Sequence, residues 1–172
     1  QDLSQVNWRN GRYDSDALTN LYTADDVWAR KVITEIQDKC GNVSTMKLLG
    51  FCVSIRHANF MASQFNDAGI HSASITSATK NEERAQLLSK FRKGEIKALF
   101  TVDLFNEGVD IPEINMIAML RPTESATIFL QQLGRGLRTS RGRNLVTILD
   151  FVGHHNKEFR FDLRFTKLLG RT

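Results

Sequence analysis

The sequence predicts an α/β domain: a mainly parallel β-sheet of about five to six strands with helices on both of its faces. Three observations carry this expectation. Short apolar runs recur without the in-and-out alternation of half-exposed strands, as strands covered on both faces do. Segments with helical spacing of apolar residues separate them, so each strand leads into a helix and then into a parallel neighbour. The chain has 172 residues, 41% hydrophobic and 24% charged, the length and balance of one domain with a core of its own.

Residues 1–23 are polar and mixed, with a turn signal at Asn10-Gly11, and read as a lead-in segment or linker. The domain proper is expected over residues 24–152, and residues 153–172 as a basic extension with Phe159, Phe161 and Phe165 leading toward a downstream region. Asp25 and Asp26 precede a helical pattern carrying Val27, Val32, Ile33 and Ile36, with Gly41 as its stop. Leu48 to Ile55 is the first strand of the sheet, and His57 to Asp67 a helix with Phe60, Met61 and Phe65 on one side, ending near Gly69. Ala73 to Ile75 is a short strand. Thr79-Lys80-Asn81-Glu82 has the spacing of a capping box. It opens a helix to Lys93 that puts Arg84, Leu87, Leu88 and Phe91 on one face, with Gly94 beyond it. Ile96 to Val102, Ile114 to Leu120 and Leu145 to Leu149 complete the strands, with a helix from Ser125 to Leu137 before the last. No internal repeat or low-complexity tract interrupts this order.

Several function classes are excluded at this level. No run approaches the roughly eighteen apolar residues of a membrane span, and no basic-then-apolar leader opens the chain, so a cytoplasmic protein without a membrane partner is expected. Cys40 and Cys52 lack metal-type spacing and read as reduced thiols. His154-His155 lack a third ligand at a sensible spacing, so no metal site is expected. His57 reads as a capping or core residue, Asp150 as a cap after the last strand, and Trp8 and Trp28 as packing residues. Starting at Gln1 and stopping at Gly170-Arg171-Thr172, the chain reads as a piece of something longer.

Charge points the other way, toward an anionic partner. The net charge is +4, yet residues from Gly134 onward hold nine Lys or Arg against three acids, +6, leaving −2 for everything before. Residues 131–143 contain four arginines and no acid. Such an asymmetry suits nucleic acid or phosphate.

In an open parallel sheet, ligands meet the loops at the carboxyl ends of the strands. After the strand at Ile96 to Val102 come Thr101-Val102-Asp103-Leu104-Phe105-Asn106-Glu107-Gly108-Val109-Asp110-Ile111-Pro112, where Gly108 permits a close backbone approach and Pro112 ends the turn. Further on, Gln131-Gln132-Leu133-Gly134-Arg135-Gly136-Leu137-Arg138 spaces two arginines three apart, on one face of a helix. Two forked guanidiniums beside glycines are suited to bidentate grip of phosphate oxygens. Alone, the first string also fits a polar crossover loop and the second a solvated basic helix end.

The pair, in this order and interval, resembles motifs V and VI of superfamily-two helicases. Phe51 to Ala62 looks like motif IV and its helix, and Thr79 to Gly94 like the segment that leads into motif V, so the resemblance covers about residues 45–152. It implies a RecA-like three-layer sandwich, the second of two motor lobes that close on ATP. Gln131 in place of the His usual in DEAD-box members, Glu107 in place of Arg, and the Asn-Glu-Gly-Val-Asp-Ile-Pro string are closer to type I and type III restriction-enzyme motors and their bacterial helicase relatives. That favours DNA over RNA.

By this resemblance Arg138 would be an arginine finger acting on the γ-phosphate, and Arg135 its companion. Gln131 would face the nucleotide, and Gly108 with Asp110 would lie near the ribose. Thr101, Ser54 and Arg56 would contact the nucleic-acid backbone, which positions a strand without reading it. No Gly-x-x-x-x-Gly-Lys-Ser/Thr and no Asp-Glu-x-His occurs in the sequence. ATP and Mg2+ would therefore be held mainly by an N-terminal RecA-like lobe of the same polypeptide, and this piece alone would not hydrolyse ATP. Two rivals share the fold: a non-catalytic nucleic-acid-binding or protein-docking module, and the motor part of a restriction complex.

Overall fold

The computed structural model describes residues 8–9, 12–24, 26–102, 113–121 and 146–151. A two-residue antiparallel pair, β1 (Trp8–Arg9) with β2 (Arg12–Tyr13), precedes helices α1 (Ser15–Thr23) and α2 (Asp26–Cys40). The chain then runs β3 (Leu48–Phe51), α3 (Ile55–Asp67), β4 (Ser72–Ile75), α4 (Asn81–Arg92), β5 (Ala98–Thr101), β6 (Met116–Met119) and β7 (Thr147–Asp150). Strands β3 to β7 form one five-stranded sheet in the order β4-β5-β3-β6-β7, parallel at every pairing. The expected α/β sheet is therefore present, with β3, β5 and β6 shorter than their apolar runs and β4 and β7 each reaching one residue past theirs, to Ser72 and Asp150.

The pleat explains why the runs do not alternate. Leu48, Cys52, Ala98, Phe100, Met116, Ala118 and Leu120 face one core, with Leu18 and Tyr22 of α1, Val32 and Ile36 of α2, and Met61 and Phe65 of α3. The intervening Leu49, Phe51, Leu99, Ile117 and Met119 face a second core, with Leu88 and Phe91 of α4. The three central strands β3, β5 and β6 thus bury both sets of side chains, and each large one contributes about 1.5–3 kcal/mol. One close fit sits mid-sheet. A Cβ on Gly50 would lie 2.5 and 2.6 Å from Phe100 Cδ1 and Cε1, so the ring occupies the space the glycine leaves. Phe100 in turn meets Phe65 edge-on, with centroids 4.9 Å apart.

Differences from the expectation have local causes. Within the expected lead-in segment, α1 is an ordered helix, capped by the Asp14 carboxylate accepting from Asp16 N and Ala17 N, with Leu18 and Tyr22 in the first core. On α2 the buried stripe is Trp28, Ala29, Val32, Ile33 and Ile36. Val27, one position earlier, turns away from it and is 50% exposed. The capping box does not form on α4: Lys80 is the N-cap without a side-chain bond. Thr79 Oγ1 instead accepts from Thr76 N at 3.0 Å, closing the turn after β4. Gly69 and Gly94, with φ of +79° and +76°, end α3 and α4 in the left-handed conformation that glycine adopts most cheaply. The helix expected over Ser125 to Leu137 lies outside the described residues.

Candidate functional site at the carboxyl edge of the sheet

Because β3 to β7 are parallel, all five carboxyl ends meet one edge. That edge collects Cys52 to Ser54 after β3, Thr76 to Thr79 after β4, Thr101 and Val102 closing β5, Leu120 and Arg121 after β6, and Asp150 and Phe151 at β7. The ladder ends there with Cys52 N donating to Thr101 O at 2.7 Å, Leu120 N to Phe51 O at 3.0 Å and Phe151 N to Met119 O at 2.9 Å. Residues 103–112 follow Val102 and residues 122–145 follow Arg121. Gly108, Asp110, Gln131, Arg135 and Arg138 lie in these two segments, outside the described residues.

Of the three remaining site residues, Ser54 is the N-cap of α3. Its Oγ accepts from His57 N at 3.2 Å and lies 2.8 Å from Thr19 Oγ1. Thr19 Oγ1 is also 2.7 Å from Ser15 O, a carbonyl that can only accept. One hydroxyl carries one proton, so both bonds form together only if Thr19 donates to Ser15 and Ser54 donates to Thr19. The Ser54 hydroxyl is then engaged inside the fold, and a phosphate on this turn would meet main-chain N–H groups and Arg56 instead. Arg56 is exposed and its guanidinium donates to Asn20 Oδ1 at 3.1 Å. Helix α1 therefore buttresses the start of α3 at two points.

Thr101 is 1% exposed, and its hydroxyl has no hydrogen-bond partner among the described residues. An orphaned buried hydroxyl is costly, and this one stands where residues 103–112 leave the sheet. His57 is a core residue, as expected. Its Nδ1 accepts from Val53 N at 3.2 Å, while Nε2 is buried without a partner among the described residues. Its ring stacks on Tyr22 at 5.2 Å and lies 5.6 Å from Trp28, which is itself buried. Burial pushes its pKa down to about 3, so it is neutral across the physiological range. Burial likewise pushes the Cys52 thiol well up, the nearby Arg121 charge opposing only in part.

Arg121 was not singled out by its sequence context, although a cation directly after an apolar strand and before Pro122 was the available signal. Its Nη1 donates to Cys52 O at 3.3 Å and Val102 O at 3.2 Å. Arg84, on the segment resembling the approach to motif V, donates from Nη2 to Thr76 O at 3.1 Å and holds the turn after β4. Among the described residues no group of three His, Cys, Asp or Glu is placed to hold a metal, and no helix is long and apolar enough to cross a membrane.

Comparison with known proteins joins these features. Residues 30–140 match the model of the helicase conserved C-terminal domain. Over 137 residues, 80% of this chain, it is 34% identical to a Saccharomyces cerevisiae protein provisionally named ATP-dependent helicase IRC3, and covers 19% of that protein. Over 123 residues, 66% of this chain, it is 30% identical to UvrABC system protein B of Treponema pallidum, and covers 18% of it. The chain thus spans under a fifth of either relative. Among solved structures, the yeast DEAD-box splicing factor Prp28 superposes with a TM-score of 0.63 at 15% identity, over 81% of this chain and 30% of that one. That likeness is one of fold.

Proposed function

Since the chain belongs to the helicase conserved C-terminal domain family, as the second RecA-like lobe of a superfamily-two helicase, we propose that it works as the motor half of an ATP-dependent DNA helicase or translocase. The observation that carries this reading is the convergence at one edge. Both motif-bearing segments are rooted at carboxyl ends of the sheet, at Val102 and Arg121, and these two residues touch. A ligand gripped by either segment therefore acts on the root of the other.

In this reading Arg138 is the arginine finger, Arg135 its companion, and Gln131 a further nucleotide contact. Gly108 and Asp110 would lie near the ribose. Residues 131–143 hold four arginines and no carboxylate. That donor set fits phosphate oxygens and does not fit Mg2+, which would be bound mainly by a first lobe on the same polypeptide. ATP supplies the hydrolysable phosphate. This chain's part is to bring two guanidiniums to it and so stabilise the charge that develops on transfer. On the nucleic-acid side Arg56, the first turn of α3 and Thr101 would hold backbone phosphates. The main-chain amides of α3 there replace the Ser54 hydroxyl as the expected donor.

The test is DNA-stimulated ATPase activity of the polypeptide carrying both lobes, wild type beside Arg138→Ala. A fall in turnover of about a hundredfold or more with ATP binding kept is the expected result. Unchanged turnover would remove Arg138 from catalysis and favour the non-catalytic binding module.

A further inference from the structure

Resting on that reading, we propose that Arg121 is a positioning residue that couples the nucleic-acid side of the lobe to its finger-bearing side. Cys52 O and Val102 O lie just beyond the last ladder bonds of β3 and β5 at this edge. Main-chain carbonyls in such a half-buried position need a donor. One nitrogen of Arg121 supplies both, at 3.3 and 3.2 Å. Arginine suits the task because its planar fork is permanently charged and its donors are held in fixed directions.

The placement gives this clamp a consequence beyond stability. Arg121 closes β6, and its own main chain continues into the segment that holds Gln131, Arg135 and Arg138. Its side chain holds Val102, the last residue before the segment with Gly108 and Asp110. It also holds Cys52, two residues before the N-cap of α3. The roots of the three chain segments proposed to touch nucleic acid or nucleotide are therefore held by one guanidinium that need touch neither ligand. A shift of the β5 end on nucleic-acid contact is carried to the root of the finger segment through this bridge. Coupling of this kind requires a physical element biased by both sites, and Arg121 is that element.

The test uses the two-lobe polypeptide, with Arg121→Gln and Arg121→Lys beside wild type. Turnover without DNA, turnover at saturating DNA, KM for ATP and Kd for a DNA oligonucleotide are measured on each. For Arg121→Gln the expected result is a loss of about tenfold in DNA-stimulated turnover, within the usual range for coupled sites. KM for ATP and Kd for DNA stay within about twofold, so the stimulation ratio collapses. Arg121→Lys, which keeps the charge but not the fork, gives an intermediate ratio and guards against a glutamine variant that fails to fold. An unchanged stimulation ratio in both variants overturns the proposal, as does a loss that follows only the folded fraction. Absence of DNA-stimulated turnover in the wild type would instead sink the motor reading itself, and this inference with it.

Discussion

Side chains close loops at both edges of the sheet, but the two edges differ in the polar groups they bury. At the amino edge, where β3, β5 and β6 begin, side chains close the loops onto one another. Asn115 accepts from Lys47 N at 2.8 Å and donates to Thr45 O at 2.8 Å. Lys47 Nζ reaches Arg92 O at 3.3 Å, and Lys97 Nζ donates to Ser44 O. The carboxyl edge holds a buried hydroxyl on Thr101 and a buried Nε2 on His57, each without a partner among the described residues, beside a half-buried guanidinium. Among the described residues, these two buried groups without a partner lie at the end from which the segments with arginine-rich and glycine-bearing motifs depart, the end proposed to meet the ligands. The difference teaches that a parallel sheet gives its two edges different environments, because every strand begins at one edge and ends at the other.

Four measurements break or sharpen this contrast. The largest effect removes the support common to both edges. Phe100→Ala should cost about 3–5 kcal/mol in urea denaturation. Gly50→Ala, which drives a Cβ into the same ring, should cost about 1–3 kcal/mol. A cost near zero for either would mean the sheet centre does not carry the edges.

Next in size is the pH response of His57. Its folded pKa is depressed, so its contribution is whole above the ordinary value of about 6.5 and is lost as pH falls toward about 3. Over that window the unfolded chain binds the proton and the folded chain does not, so stability should fall by up to about 1.4 kcal/mol per pH unit. Urea midpoints at several pH values should show this slope in wild type. It should flatten in His57→Asn, which keeps an acceptor for Val53 N.

At the amino edge, Asn115→Ala removes two bonds of an exposed side chain and should cost about 1 kcal/mol, leaving DNA-stimulated turnover of the two-lobe polypeptide within about twofold of wild type. A large loss of turnover would spoil the division between edges. The smallest effect has the opposite sign. Thr101→Val removes an orphaned hydroxyl at nearly constant shape, so stability should hold or rise by up to about 1 kcal/mol. DNA affinity should nevertheless fall if that hydroxyl serves a phosphate. A variant less stable than wild type would show that the hydroxyl is satisfied within the fold.

By itself the sequence determined the order of the described elements from α2 to β7. The unalternated runs around Leu48, Ile96 and Ile114 announced strands covered on both faces. The stripe at Leu88 and Phe91 and the stop at Gly94 announced α4, because these signals lie within a few residues of one another. Thr101, Gly108, Asp110, Gln131, Arg135 and Arg138 are grouped as a proposed site by the same kind of local spacing. Only the tertiary structure decided the strand order β4-β5-β3-β6-β7 and the fit of Phe100 over Gly50. It also decided that Thr19 takes the Ser54 hydroxyl from 35 residues away and that Arg121 reaches Cys52 across 69. Periodicity and spacing report on neighbours along the chain. A hydrogen bond between residues so far apart exists only once the crossovers have set the strands side by side, so no local pattern could have shown it.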